Sequence, residues 1–200
     1  MTRQIVLLMF DEVELLDFAG PYEVFTTANR MAQRLTPGEP PPFALATASP
    51  HGRPVHARAG LVLQPDSALA DAPAAQLLLV PGGVVDALLT DTALLAQIAR
   101  RADTAEITAS ICTGAFVLAA AGVLHDAPAT THWEDAADLA ARHPDLQLQP
   151  DRRWVDHGAV VTSAGIAAGI DMSLHLVARC AGEALARRTA RQLDVPWIGA

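Results

Sequence analysis

An α/β sandwich with a mostly parallel central sheet is the fold class that this 200-residue sequence predicts. Three observations carry that reading. Apolar runs at residues 5–10 and 77–80 have the length and composition of strands buried on both faces. Longer stretches with helical periodicity alternate with them, as βαβ connections demand. Finally, the strands stop abruptly at small residues, as at Pro81-Gly82-Gly83, where a chain leaving a parallel sheet has to turn.

Each element follows in order. Residues 5–10 form the first strand, and residues 11–20 are read as a turn. Pro21 sits where the first residue of a helix is expected, with a helical pattern over 22–34. Residues 37–42 are a proline-rich loop, 43–48 a second strand, and 55–63, interrupted by Gly60, a hairpin. After the strand at 77–80, Asp91 caps a helix running to about 101. A β-rich run at 105–111 then passes directly into an apolar helical pattern that ends near Gly122. Residues 131–142 are amphipathic, with Glu134 and Asp135 placed where a helix dipole favours acids. Residues 154–161 form a hairpin or two short strands, 169–183 a helix, and 185–198 a tail with helical character. One domain is expected over 1–200, its core at about 3–183 with a short tail over 184–200.

Composition narrows the function. A formal charge of −8 and a pI near 5.2 argue against nucleic acid or an anionic membrane as a partner. All fourteen basic residues are arginines, so neither a Schiff-base lysine nor a lysine-bearing phosphate loop is available. The two cysteines, Cys112 and Cys180, have neither metal-type nor redox spacing. The first residues run straight into a strand too short for a signal-peptide core or a membrane span. A cytoplasmic protein is expected.

The most informative residue is Cys112. Ser110 and Gly114 flank it two positions away, at the switch from strand to helix, as a nucleophile elbow requires. A sulfur at a helix N-terminus is favoured as thiolate, the reactive form. The alternative is a small buried core cysteine. Asp17, an acid in an otherwise apolar loop, can shuttle a proton if burial raises its pKa, or can simply cap the helix at Pro21. The Gly82-Gly83 turn can bring backbone close to a ligand, and Gly83 N–H with Thr113 N–H can stabilise an anion. His132 can approach the same pocket, while Thr131 can serve as an N-cap. No metal site is read from His132, Glu134 and Asp135, and Trp133 is read as core or interface. Small residues at 163–169 let Ile166 N–H point at the sulfur, or else allow close helix packing, with Asp171 a first-turn acid. Because Thr113, not a histidine, follows Cys112, and no His-x-Glu pair is read downstream of it, a Cys-His-Glu triad is not expected, and the proton partner is expected to be a carboxylate.

Together, Leu16-Asp17-Phe18-Ala19-Gly20-Pro21-Tyr22, Val80-Pro81-Gly82-Gly83, Ser110-Ile111-Cys112-Thr113-Gly114, Thr130-Thr131-His132-Trp133 and Gly165-Ile166-Ala167-Ala168-Gly169-Ile170-Asp171 resemble motifs of the ThiJ/PfpI superfamily, in its isonitrile hydratase-like branch. The resemblance implies a flavodoxin-like, class I glutamine amidotransferase-like fold, a homodimer and no cofactor. It further implies that Cys112 attacks the terminal carbon of an isonitrile to give a thioimidate. Asp17 would handle protons and water, Ile166 N–H would face the sulfur, and the product would be an N-substituted formamide. Ser163-Ala164 stand where the hydratase is expected to have glycines, a change expected to reshape the pocket.

Two other readings compete. Related domains sense small molecules as the regulator part of AraC-type transcription factors, and a free-standing sensor is one alternative. A redox-sensing cysteine is another, testable by peroxide oxidation of Cys112.

Overall fold

The computed structural model describes residues 1–199. Among the described residues, the strands in chain order are β1 (Arg3–Leu8), β2 (Phe43–Ser49), β3 (Val55–His56), β4 (Val62–Leu63), β5 (Ser67–Ala68), β6 (Leu77–Val80), β7 (Ile107–Ile111), β8 (Pro128–Ala129), β9 (Gln147–Leu148), β10 (Trp154–His157) and β11 (Val160–Ser163). The helices are α1 (Leu15–Leu35), α2 (Asp86–Thr90), α3 (Thr92–Ala102), α4 (Gly114–Ala120), α5 (Ala136–Arg142), α6 (Ala168–Ala181) and α7 (Glu183–Leu193).

Seven strands form one sheet in the order β10-β11-β7-β6-β1-β2-β5. Every neighbouring pair is parallel except β10 with β11. The central strands β1, β6 and β7 are apolar because both faces are covered, and Ile5, Val6, Leu77, Leu78, Ala109 and Ile111 are fully buried. Helices α1, α6 and α7 pack on one another, and α2, α3 and α4 do likewise, as the two layers around a doubly wound sheet. Asp91 caps α3 by accepting the Leu94 N–H at 2.9 Å, and the hairpin at 55–63 is present as antiparallel β3 and β4.

The first strand spans Arg3–Leu8 rather than residues 5–10, and two further elements depart from the sequence reading. Helix α1 starts at Leu15, so Pro21 lies inside it and Asp17 belongs to its first turn rather than to a loop. A proline lacks only its own N–H, and tertiary packing of Phe18, Val24 and Phe25 keeps the helix continuous across it. Residues 131–142 are not one helix; a 3₁₀ turn at Trp133–Asp135 precedes α5. Trp133 is 72% exposed and is not part of the core.

Candidate active site

Open parallel sheets place ligands beyond the carboxyl ends of their strands, and three turns meet there. The turn after β1 is stitched to the turn after β6. Glu14 N–H donates to Gly82 C=O at 2.9 Å, and Val84 N–H donates to Glu12 C=O at 3.0 Å. Only glycine suits position 83, where φ is +140° and a Cβ would lie 2.2 Å from the Glu12 oxygen. This junction carries Asp17 to Gly82, whose N–H donates to Asp17 Oδ2 at 3.1 Å. Asp17 is fully buried and its Oδ1 has no hydrogen-bond partner. Burial pushes its carboxyl up to about 7, against the pull of the Gly82 bond and with a further push from the Glu14 charge.

The turn from β7 to α4 carries Cys112, at a φ of 54° that side chains rarely adopt. The helix follows so closely that a Cβ at Gly114 would sit 2.2 Å from Val80 C=O. The strained backbone is held on both sides. Cys112 N–H donates to Ser163 C=O at 3.2 Å, and Cys112 C=O accepts from Thr131 Oγ1 at 2.8 Å. A conformation of this kind costs free energy and persists where neighbours over-determine it.

The sulfur is not the standing thiolate that a helix N-terminus leads one to expect. Burial pushes the Cys112 thiol up to about 12, and the nearby Asp17 charge pushes the same way. The N–H groups of Thr113 and Ile166 favour the ionised form, and the Asp135 charge opposes it. Helix α4 has seven residues, of which Cys112 is not one, so its dipole is too small to win. The resting pair is therefore a thiol beside a carboxyl that titrates near neutrality.

Thr113 acts through its hydroxyl as well as its N–H. Its Oγ1 accepts the Gly83 N–H and donates to the Gly83 C=O, both at 2.9 Å. Gly83 N–H is thus already engaged, contrary to its expected availability to an anion. Gly82 is also displaced from its expected place on the pocket wall. It lies beneath the floor, where a Cβ would meet Thr113 N at 2.6 Å and Asp17 Oδ2 at 2.9 Å.

A cavity of about 390 Å³ opens above, and its walls include Cys112, Thr113, Gly83, Phe116, His132 and Ile166. His132 caps the 3₁₀ turn by accepting Glu134 N–H, and its Nδ1 lies 3.2 Å from Asp135 Oδ2. Its ring reaches the wall because position 165 is glycine; a Cβ there would come 2.0 Å from His132 Cδ2. Sequence reasoning missed two features in this region. His132-Trp133-Glu134 does have His-x-Glu spacing, yet the groups that perturb the thiol are Asp17, Asp135 and two N–H donors, not His132. Thr131, expected as a cap, holds the elbow instead, and the positions of the strands that bring it there leave no local signal. Ser163 is fully buried and shapes the turn through its carbonyl rather than the cavity through its side chain. Asp171 pairs with Arg153.

Comparison with known proteins agrees with this architecture. The chain is 35% identical over 196 residues to isonitrile hydratase of Pseudomonas putida, covering 97% of this chain and 79% of that one. It is 31% identical over 193 residues to the HTH-type transcriptional regulator CdhR of Pseudomonas aeruginosa, covering 96% of this chain but only 55% of the regulator. The crystal structure of a ThiJ/PfpI family protein from Pseudomonas syringae superposes with a TM-score of 0.84 at 26% identity, covering 97% of this chain and 75% of that one. The DJ-1/PfpI family model matches residues 3–179, and the chain belongs to that family.

Proposed function

We propose that this protein hydrates isonitriles to N-substituted formamides, with Cys112 as nucleophile and Asp17 as proton carrier. The observation that carries the proposal is a buried thiol on a strained turn, open to a cavity and backed by a buried carboxyl of matched function. A carboxyl titrating near 7 can both accept and return a proton at neutral pH. As the Cys112 sulfur bonds to the terminal isonitrile carbon, its proton passes to Asp17 and on to that carbon. The product is the thioimidate R–N=CH–S–Cys. Water then adds to the same carbon, giving one proton to Asp17, and the carbon–sulfur bond breaks as nitrogen and sulfur are reprotonated. R–NH–CHO and the free thiol result. Atoms and electrons balance with water as the only co-reactant, so the cycle calls for no cofactor. Thr113 and Ile166 N–H groups favour negative charge on sulfur and so lower the cost of both C–S steps.

The experiment is formamide production from a panel of isonitriles, followed by mass spectrometry. Turnover by the wild type, its loss in Cys112→Ala and a drop of about a hundredfold or more in Asp17→Asn support the reading. A wild type inert to the panel overturns it.

A second reading is a ligand sensor, favoured by the likeness to CdhR, a transcriptional regulator, and by a thiol held largely protonated at rest. A small molecule that raises the melting temperature and is recovered unchanged would favour the sensor over the hydratase.

A further inference from the structure

A second cavity, also of about 390 Å³, adjoins the one that holds Cys112. Trp133, Pro150, Arg152 and Gly165 are on its wall, while His132 and Ile166 line both cavities and so form the divide between them. Ile166 has a φ of 32°, in a region that a β-branched residue rarely enters. Its N–H favours the ionised sulfur, and its side chain stays 36% exposed, an apolar surface where the two cavities meet. Beyond the divide stands Trp133, 72% exposed, whereas Trp154 and Trp197 are partly buried against the core. The indole is held by the 3₁₀ turn and lies against the His132 ring, with centroids 5.8 Å apart and planes tilted by 35°. A tryptophan fixed in this way outside the core offers a broad flat apolar face, and covering that face is favourable. Charge does not choose the ligand here. Arg153 is paired with Asp171, and the opposite charges of Asp151 and Arg152 are neighbours in the chain. Shape and apolar area remain to select what binds.

We infer that the second cavity is a subsite for the tail of the electrophile, and that it takes a planar aromatic group stacked on Trp133. On the hydration reading, on which this inference rests for its substrate class, the preferred isonitriles are aralkyl isonitriles. The isocyano carbon lies at Cys112, the linking carbon crosses the Ile166 side chain, and the ring covers the indole. The occupant is the substrate's own tail because the two cavities join at Ile166, the residue whose N–H acts on the sulfur.

The test has two arms, so that the subsite and the chemistry fail separately. In the first, a Cys180→Ser protein, whose one remaining thiol is Cys112, is treated with iodoacetamide or with its N-naphthylmethyl derivative. In each reaction the Cys112 sulfur bonds to the methylene carbon, iodide leaves with the bonding pair, and the thiol proton goes to solvent. The rate ratio, aromatic over compact, is normalised to that of a free small thiol. We expect about tenfold, a fall toward one when Trp133→Ala is added, and partial retention with Trp133→Phe, which keeps a smaller ring. A normalised ratio near one in the parent protein overturns the inference; a ratio that Trp133→Ala leaves unchanged overturns the assignment to this cavity. In the second arm, kcat/KM is compared for naphthylmethyl isonitrile and methyl isonitrile. The aromatic substrate is expected to lead by about tenfold, through KM, and to lose that lead in Trp133→Ala. Equal or reversed values in the wild type overturn the inference for substrates. If no isonitrile is turned over, the hydratase reading fails while the first arm still decides the subsite.

Discussion

The hydroxyl of Thr131 donates a 2.8 Å hydrogen bond to the carbonyl of Cys112, and both residues are buried. That bond spans 19 positions of chain and fastens the elbow from the side opposite Ser163. Thr131→Val keeps the shape and leaves a buried carbonyl without its partner, which costs about 1–3 kcal/mol. The expected outcome is a lower melting temperature together with slower alkylation of Cys112 by iodoacetamide, and Thr131→Ser restores both. Alkylation at the wild-type rate in the valine variant would show that the bond does not position Cys112.

The burial of Asp17 carries a cost to stability once its carboxyl ionises. The unfolded carboxyl loses its proton near 3.8, whereas the folded one keeps it to about 7. Stability from this group is full below the lower value, declines between the two, and is gone above the higher. Asp17→Asn cannot ionise, so at pH 8 it should be more stable than the wild type by up to about 4 kcal/mol, or roughly 8–16 °C. At pH 5 the gain should shrink. Thermal unfolding at the two pH values measures this, and a pH-independent difference would refute it.

The Cys112 thiol should ionise late. Its alkylation rate is expected to keep rising beyond pH 10 in the wild type, because burial and the Asp17 charge hold the proton on sulfur. In Asp17→Asn one of those causes is removed, and the midpoint should move down. A wild-type midpoint below 8 would restore the standing thiolate.

Activity, in contrast, should track Asp17. If the ionised carboxylate takes the thiol proton, kcat/KM for isonitrile hydration rises with pH through a midpoint near 7. A profile flat between pH 5 and 9 would remove Asp17 from the proton path.

Gly165→Ala tests how His132 reaches the cavity. The added methyl would fall 2.0 Å from His132 Cδ2, and an imidazole can swing away where a backbone cannot. The variant should fold with a loss of about 1–2 kcal/mol, while the His132 ring resonances shift and the cavity changes shape. Unperturbed His132 resonances would show that the glycine is not what admits the ring.

The sequence by itself determined the alternation of strands and helices, the parallel core, the hairpin at 55–63 and the elbow at Cys112. These are local: apolar runs mark doubly covered strands, and small residues at 110 and 114 mark a turn too tight for others. It also picked out Asp17 and Ile166 as neighbours of the sulfur, through a resemblance that covers most of the chain. Only the tertiary structure decided that α1 begins before Pro21, because packing overrides the preference of one residue. It alone showed that Thr131 grips the elbow and that Thr113 consumes Gly83 N–H, since such bonds join segments whose separation in sequence carries no pattern. The state of the sulfur was also beyond a local reading. A helix start argues for a thiolate, but burial and a carboxyl delivered by another strand end argue harder for a thiol.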